Sequence, residues 1–393
     1  MRADHQLRAF EQILSNYDGS LPLHRFLPTY FKQHKQMGSS DRRWATRHIY
    51  SFFRLGKALS TLPQEERLSI GDFLCHDTLS LIVEKNLPVL KESITLPLEE
   101  KISIIKTRYP DFDLQEVYPF HADLSDGLDR EAFCTSFFKQ PDLFIRVAAE
   151  ESAAIVAKLA DENIAVKAVS DTALALPNGT KLETVLKEGS YQVQDLSSQH
   201  TGNYFKPNKW DKWWDCCAAS GGKTLLLHSL EPVIELLVSD LRESVLLNLD
   251  ERFRLAGIKK YHKKELDLLQ NNDQVLHHYQ FDGIILDAPC TGSGTWGRTP
   301  EMLTFFEERK ISQFASIQKG IVQNIVKYLK PGKPLIYITC SAFAEENEAI
   351  VQHMIDTLPL ELEKMELIKG YENNADTMFV SRLIKKEPGL TGY

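Results

Sequence analysis

Apolar residues recur at helical spacing through the first sixty positions, at Leu7, Phe10, Ile13 and Leu14 and again at Trp44, Ile49, Phe52, Phe53 and Leu55. That three-to-four repeat turns one face of a helix toward a core. Ser39-Ser40-Asp41 is placed to cap the second run. The period continues through 70–83 and 98–105 and weakens around Tyr109-Pro110-Asp111 and 119–127, where a domain boundary is expected. From Asp142 the texture changes to a strand over 143–148, a helix over 151–162, extended sequence over 165–173, a strand ending at the turn Pro177-Asn178-Gly179, and a second short helix. After Asp211 strands and helices alternate, as a doubly wound parallel sheet requires. Strands are predicted over 212–216, 233–240, 261–266, 281–287, 335–340 and 360–367, with 378–384 closing, and helices most clearly over 244–255, 311–329 and 345–358.

Composition adds bounds to this pattern. A chain of 393 residues suggests two or three domains, and 43% hydrophobic with 25% charged residues is an ordinary globular balance. There is no apolar run long enough to span a bilayer and no leader-like start, so a cytoplasmic, membrane-independent protein is expected; a monomer is expected as well. Six cysteines (Cys75, Cys134, Cys216, Cys217, Cys290, Cys340) are too sparse for a disulfide framework and lack metal-ligand spacing. A special cysteine here is a reactive one, and no metal is expected. The net charge of −8 speaks against nucleic acid at first sight. Residues 1–60, however, carry ten Lys and Arg against four acids, a surplus of six, which leaves open a phosphate-contacting surface or a solvated helix face.

Three constellations carry chemistry. The first is Asp215-Cys216-Cys217-Ala218-Ala219-Ser220-Gly221-Gly222-Lys223-Thr224, a small-residue loop between a predicted strand and helix, where backbone amides can approach a ligand closely. Asp240, at the end of the next apolar strand, is placed to hold ribose hydroxyls. Neither the phosphate-loop spacing nor the dinucleotide fingerprint is present, so S-adenosyl-L-methionine, which has no phosphate to cradle, fits better. The second is the strand 281–287 running into Asp287-Ala288-Pro289-Cys290-Thr291-Gly292-Ser293-Gly294. The third is Thr339-Cys340-Ser341, followed by Glu345-Glu346-Asn347-Glu348. In an open α/β sheet ligands bind beyond the carboxyl ends of strands, which brings Asp287, Cys290 and Cys340 to one place.

These three motifs, in this order, resemble the RsmB/Sun (Fmu) family of RNA cytosine-5 methyltransferases over roughly 141–386. Gln194–Gln199 and Phe144-Ile145-Arg146-Val147 resemble further family segments. The departures are Ser220 for proline, Thr291 for serine, Ala148 for asparagine, and Thr377-Met378 where Gly-Phe is usual. The resemblance implies a Rossmann-like class I methyltransferase domain over 191–386, an RRM-like α/β module over 126–190, an all-helical NusB-like RNA-binding domain over 1–125, and a tail over 387–393. It implies that Cys217, Ala218, Ala219, Ser220, Gly221, Gly222 and Lys223 line S-adenosyl-L-methionine, with Asp240 on the ribose and Asp267 near the adenine. Asp287 would serve both cofactor site and base, Cys340 would be the nucleophile, and Cys290 would assist product release. The substrate would be RNA, with small-subunit ribosomal RNA the family-based expectation and transfer RNA the alternative.

The chemistry asks for these groups. Carbon 5 of cytosine attacks a methyl group only after a nucleophile adds at carbon 6, and a thiolate suits that addition. A free thiol is mostly protonated at neutral pH, so Lys223 is a candidate source of positive charge. Charge gathers on nitrogen 3, where a protonated Asp287 could donate. A base leaving its stack needs a loop or single strand. Trp213, Trp214, Trp296 and Tyr204 are candidates for stacking, with core packing the commoner role for each. Two rivals remain. A DNA methyltransferase would use the Pro-Cys residue, Cys290, as nucleophile, and a non-catalytic RNA-binding protein would keep the fold without the reaction.

Overall fold

The computed structural model describes residues 2–387 and falls into two compact units; of the expected tail, 388–393 lie outside the described residues. The first unit comprises the chain up to His121, Asp129–Pro141 and Thr295–Glu307. It is all helical, built on Arg2–Asn16, Leu23–Gln33, Ser39–Arg54, Gln64–Cys75, Leu81–Asn86, Leu98–Arg108 and Arg130–Ser136. Its core gathers Phe10, Ile13, Leu27, Ile49, Phe53 and Leu68, the apolar face predicted from periodicity.

Several local expectations shift. Gly38, not Ser39, is the N-cap, and the Asp41 carboxylate accepts from the Gly38 amide at 3.1 Å. The helix predicted over 70–83 stops at Cys75 and restarts at Leu81 under a Ser80 cap. Between them, the His76 carbonyl accepts from Lys101 Nζ at 2.7 Å and the Thr78 carbonyl from Arg47 Nη2 at 2.6 Å, so distant cations rather than a continuing helix satisfy this stretch. Of the ten basic residues in 1–60, Arg54 is buried against the Phe137, Lys139 and Gly297 carbonyls, and Arg47 pairs with buried Asp72. Arg2, Arg8, Arg25, Lys32, Lys35, Arg43 and Lys57 stay exposed.

Residues 126–190 were expected as one module, but the helix Arg130–Ser136 belongs to the helical unit. The segment 295–307, expected within the catalytic domain, joins that unit too. The reason is aromatic: Trp296 packs against Tyr118, Phe120 and Phe306 with ring centroids 4.7 to 5.6 Å apart.

The second unit carries two sheets. The smaller is antiparallel, from β1 (Leu143–Arg146), β2 (Lys167–Ala168), β3 (Ala173–Leu176) and β4 (Gln192–Val193) in the order β2-β3-β1-β4. With the helix Ala149–Asp161 after β1, this is the strand order of an RRM-like module. Of the expected extended run over 165–173, only Lys167–Ala168 and Ala173, the first residue of β3, lie in strands, and the second helix is one 3₁₀ turn, Leu182–Thr184.

The larger sheet holds β5 (Lys212–Asp215), β6 (Glu235–Asp240), β7 (His262–Glu265), β8 (Gly283–Asp287), β9 (Pro334–Thr339), β10 (Leu360–Ile368) and β11 (Met378–Lys385), ordered β10-β11-β9-β8-β5-β6-β7. All pairs are parallel except those of β11. Its central strands are buried on both faces, as a helix-covered parallel sheet requires. Trp214, Leu237, Ile284 and Tyr337 pack on one side, and Trp213, Val238, Ile285 and Ile338 on the other. The chain moves outward from β5 through β6 and β7, then returns to β8 on the other flank. The carboxyl ends of β5 and β8 therefore form the switch point where such sheets bind ligands.

Candidate active site

The loop after β5 turns sharply into the helix Gly222–Leu230. Gly221 caps that helix at φ +83°, a left-handed conformation that favours glycine, while a Cβ at Gly222 would meet nothing within 4 Å. The loop is thus clamped behind and open in front. Asp240 holds it: Oδ2 accepts from the Ala219 amide at 3.0 Å, and Oδ1 from the Arg242 amide at 3.0 Å. Ser220, the departure from proline, is held otherwise, with Arg252 Nη1 donating to both its carbonyl and its Oγ at 3.0 Å. Asp267 follows β7, the neighbour of β6, and its Oδ1 accepts from the Leu269 amide at 3.0 Å. Both expected nucleoside-binding acids therefore sit at the same end of the sheet.

Asp215 was expected only as the first residue of the motif. It is buried, with Oδ2 accepting from Thr224 Oγ1 at 2.6 Å and Oδ1 unpartnered. Burial, reinforced by the Asp287 and Asp240 charges, pushes its carboxyl up to about 7. Three carboxylates thus gather here, with Lys223 the cation that touches one of them from within the loop.

Lys223 is buried, and its ammonium donates to Asp287 Oδ2 at 3.1 Å and to Ser198 Oγ at 2.8 Å. An ammonium has no acceptor, so Oδ2 of Asp287 is occupied as an acceptor. Ser198 also accepts from Gln194 Nε2 at 3.2 Å. The segment 194–199 was noted for its resemblance alone, and no spacing signal in the sequence ties Ser198 to Lys223.

The two cysteines meet at the ends of adjacent parallel strands, with Cys290 Sγ and Cys340 Sγ 3.4 Å apart. The Cys290 thiol is pushed up by its hydrogen bond to Cys340, then by burial and by the Cys340 and Glu346 charges. Beneath the pair, Glu346 Oε1 accepts from the Thr291 amide at 2.8 Å, and Oε2 from Thr291 Oγ1 and Ser341 Oγ, each at 2.5 Å. Gly294 donates to the Cys340 carbonyl at 2.9 Å. A Cβ there would lie 2.0 Å from the Thr377 carbonyl, so only glycine fits. Cys75, Cys134, Cys216 and Cys217 are also free thiols. The four stacking candidates are core residues: Trp213, Trp214, Trp296 and Tyr204 are each no more than 2% exposed and cannot stack on a base.

A seven-stranded sheet of this order, with a small-residue loop after its central strand and an acid after the next, is the Rossmann-like fold of the class I methyltransferases. Residues 203–387, a little under half of the chain, match the family model described as 16S rRNA methyltransferase RsmB/F, and over these residues the chain is similar to the RsmB/Sun family. Ribosomal RNA small subunit methyltransferase B of Klebsiella pneumoniae is 31% identical over 207 residues, 51% of this chain and 48% of that protein. Its counterpart from Shewanella oneidensis is 30% identical over 227 residues, 54% of this chain and 52% of that protein. The chain spans about half the length of the curated relatives it matches. Among solved structures, NSun6 from Pyrococcus horikoshii with SFG is similar at a TM-score of 0.58 and 19% identity, covering 70% of this chain and 98% of that one. PH0851 is similar at 0.67 and 21%, covering 90% and 93%. At these identities the likeness is one of fold. Among the described residues no helix is long and apolar enough to cross a membrane.

Proposed function

We propose that the protein is an S-adenosyl-L-methionine-dependent RNA methyltransferase that makes 5-methylcytosine, with Cys340 as nucleophile and small-subunit ribosomal RNA as substrate. The observation that carries this reading is the thiol pair 3.4 Å apart at the carboxyl ends of β8 and β9, on the strand that also ends in the Lys223-bound Asp287. The matched family model and the named relatives support the RNA class. A transfer RNA substrate is the alternative, and no observation favours it.

The residues fit the cofactor. The orphaned Oδ1 of buried Asp215, the open space at Gly222, and three neighbouring carboxyls of which Lys223 and Arg242 pair with two suit a nucleoside bearing a positive sulfonium. Cys217 through Lys223, with Asp240 and Asp267, would hold it, and when bound it supplies an electrophilic methyl group.

The chain's own groups do the rest. Either thiol of the pair can donate to the other; with Cys290 donating and the Cys340 proton given up to solvent, the Cys340 sulfur is the nucleophile that adds to carbon 6. Asp287 faces the ring with Oδ1, since Oδ2 accepts from Lys223, and Oδ1 hydrogen-bonds the edge of the base that carries nitrogen 3 and the amino group. After methyl transfer a water accepts the proton from carbon 5, the double bond between carbons 5 and 6 re-forms, and Cys340 leaves carbon 6 as a thiolate that the Cys290 thiol stabilises by donating to it. Lys223 positions Asp287 directly, and Ser198 positions Lys223.

The test is methyl transfer from labelled cofactor to small-subunit RNA from a strain lacking the gene, read by nucleoside analysis. Labelled 5-methylcytosine is expected. Label in another nucleoside, or none despite measurable cofactor binding, rejects the reading; the second outcome favours an RNA-binding protein that has kept the fold.

A further inference from the structure

Arg146 at the end of β1 and Arg252 in the helix Glu243–Leu255 are part-buried cations whose hydrogen-bond partners are all neutral. Arg146 donates from Nε to Gln194 Oε1 at 3.0 Å and from Nη1 to Ser229 Oγ at 2.7 Å. Arg252 donates to Ser220 and, from Nη2, to Gln192 Oε1 at 3.0 Å. A buried cation ordinarily has an acid partner, because desolvation otherwise goes uncompensated. Here burial, and then the Arg252 charge, push the Arg146 guanidinium down to about 10. Glu150 and Glu151 lie on the same wall but are exposed, and no carboxylate contributes to the Arg146 environment.

A cavity of about 540 Å³ opens at this place, lined by Arg146, Ala148, Gln192, His228 and Ser229. Its wall includes the start of the thirteen-residue helix Ala149–Asp161, whose N-cap is Ala148 and has no side chain to accept from the first amides. Where the family carries asparagine, this chain leaves those donors open. The positive end of a helix and a guanidinium fork thus face one space, a combination suited to an anion.

We propose that this cavity binds a backbone phosphate of the RNA substrate, with Arg146 as its principal ligand. The proposal rests on the RNA methyltransferase reading. The volume is that of a ligand pocket rather than of a lone inorganic anion. The site also communicates with the reaction centre: Arg146 holds Gln194, Gln194 holds Ser198, and Ser198 holds Lys223, which holds Asp287. A phosphate docked here would set the strand relative to the groups that meet the base.

The test uses the full chain and a fluorescently labelled single-stranded RNA containing cytosine, with binding measured by anisotropy across a salt series. Arg146→Gln and Ser229→Asp, which sets a carboxylate against the guanidinium, are compared with wild type. Each is expected to weaken binding several-fold and to make the slope of log affinity against log salt shallower by about 0.7, the value for one lost phosphate contact on a single strand. Unchanged affinity and slope in a folded Ser229→Asp variant overturns the proposal even if Arg146→Gln does not fold, because Ser229 is exposed. In a parallel arm, inorganic phosphate alone is titrated while melting is followed. Stabilisation of wild type but not of Ser229→Asp, with RNA slopes identical, assigns the site to free phosphate and rejects RNA. Methyl transfer to RNA with unchanged slopes sinks this site only, whereas a changed slope without methyl transfer sinks the catalytic reading and leaves the phosphate site standing.

Discussion

Cys290 and Cys340 bring their sulfurs to 3.4 Å although fifty residues separate them, because β8 and β9 are parallel neighbours that end in register, Asp287 opposite Ile338. Neither thiol owes its position to local sequence. The first prediction follows from their unequal environments. On RNA containing 5-azacytosine, Cys340→Ala is expected to form no covalent adduct, and Cys290→Ala to accumulate one that resists denaturing electrophoresis. An adduct that survives in Cys340→Ala and vanishes in Cys290→Ala reverses the two roles.

Glu346 is the keystone beneath the pair, accepting from the Thr291 amide and from the Thr291 and Ser341 hydroxyls. Glutamine offers one oxygen where these donors use two. Glu346→Gln should lose about 1–3 kcal/mol of stability, the cost of an unsatisfied buried group, measured by urea unfolding, and should lower kcat with little change in KM.

Asp215 supplies a pH dependence. Its folded carboxyl is raised to about 7 from 3.8, so the native state binds the proton more tightly than the unfolded chain. Stability from this group is fully present below the unfolded value and declines as pH rises to about 7. The span of roughly three units corresponds to about 4 kcal/mol, an upper figure before relaxation. Asp215→Asn should therefore flatten the stability profile between pH 4 and pH 7 relative to wild type, by denaturant melts at each pH. Parallel profiles would show that Asp215 ionises in the fold as freely as in the unfolded chain.

Ser220 stands where the family carries proline, and its amide makes no hydrogen bond that a proline would remove. Arg252 holds both its carbonyl and its hydroxyl. Ser220→Pro is expected to keep cofactor affinity within about fivefold, since one Arg252 contact survives and the net worth of the other is about 1 kcal/mol. Arg252→Ala, which removes both, should weaken cofactor binding more, as read by calorimetry. Equal effects of the two changes would refute the clamp.

Much of the larger sheet was legible because its central strands β5, β6, β8 and β9 are short apolar runs closed by a polar residue, and the loop after β5 because small residues between strand and helix have few other uses. The sequence by itself determined the alternation of strands and helices, the chemical inventory of Asp215, Lys223, Asp240, Asp287, Cys290 and Cys340, and the helical character of the first hundred residues. Other features depended on partners far away in the chain. Trp296 packs into the helical unit because Tyr118, Phe120 and Phe306 surround it. Ser198 reaches Lys223, and Glu346 rather than Glu345 or Glu348 turns inward to Thr291 and Ser341. Arg146 stands without an acid because its neighbours are Gln194, Ser229 and Arg252. Periodicity records which face of an element is apolar, but burial and ion pairing are properties of the space between elements. Only the tertiary structure decides which of several similar charges loses its water and what it meets there.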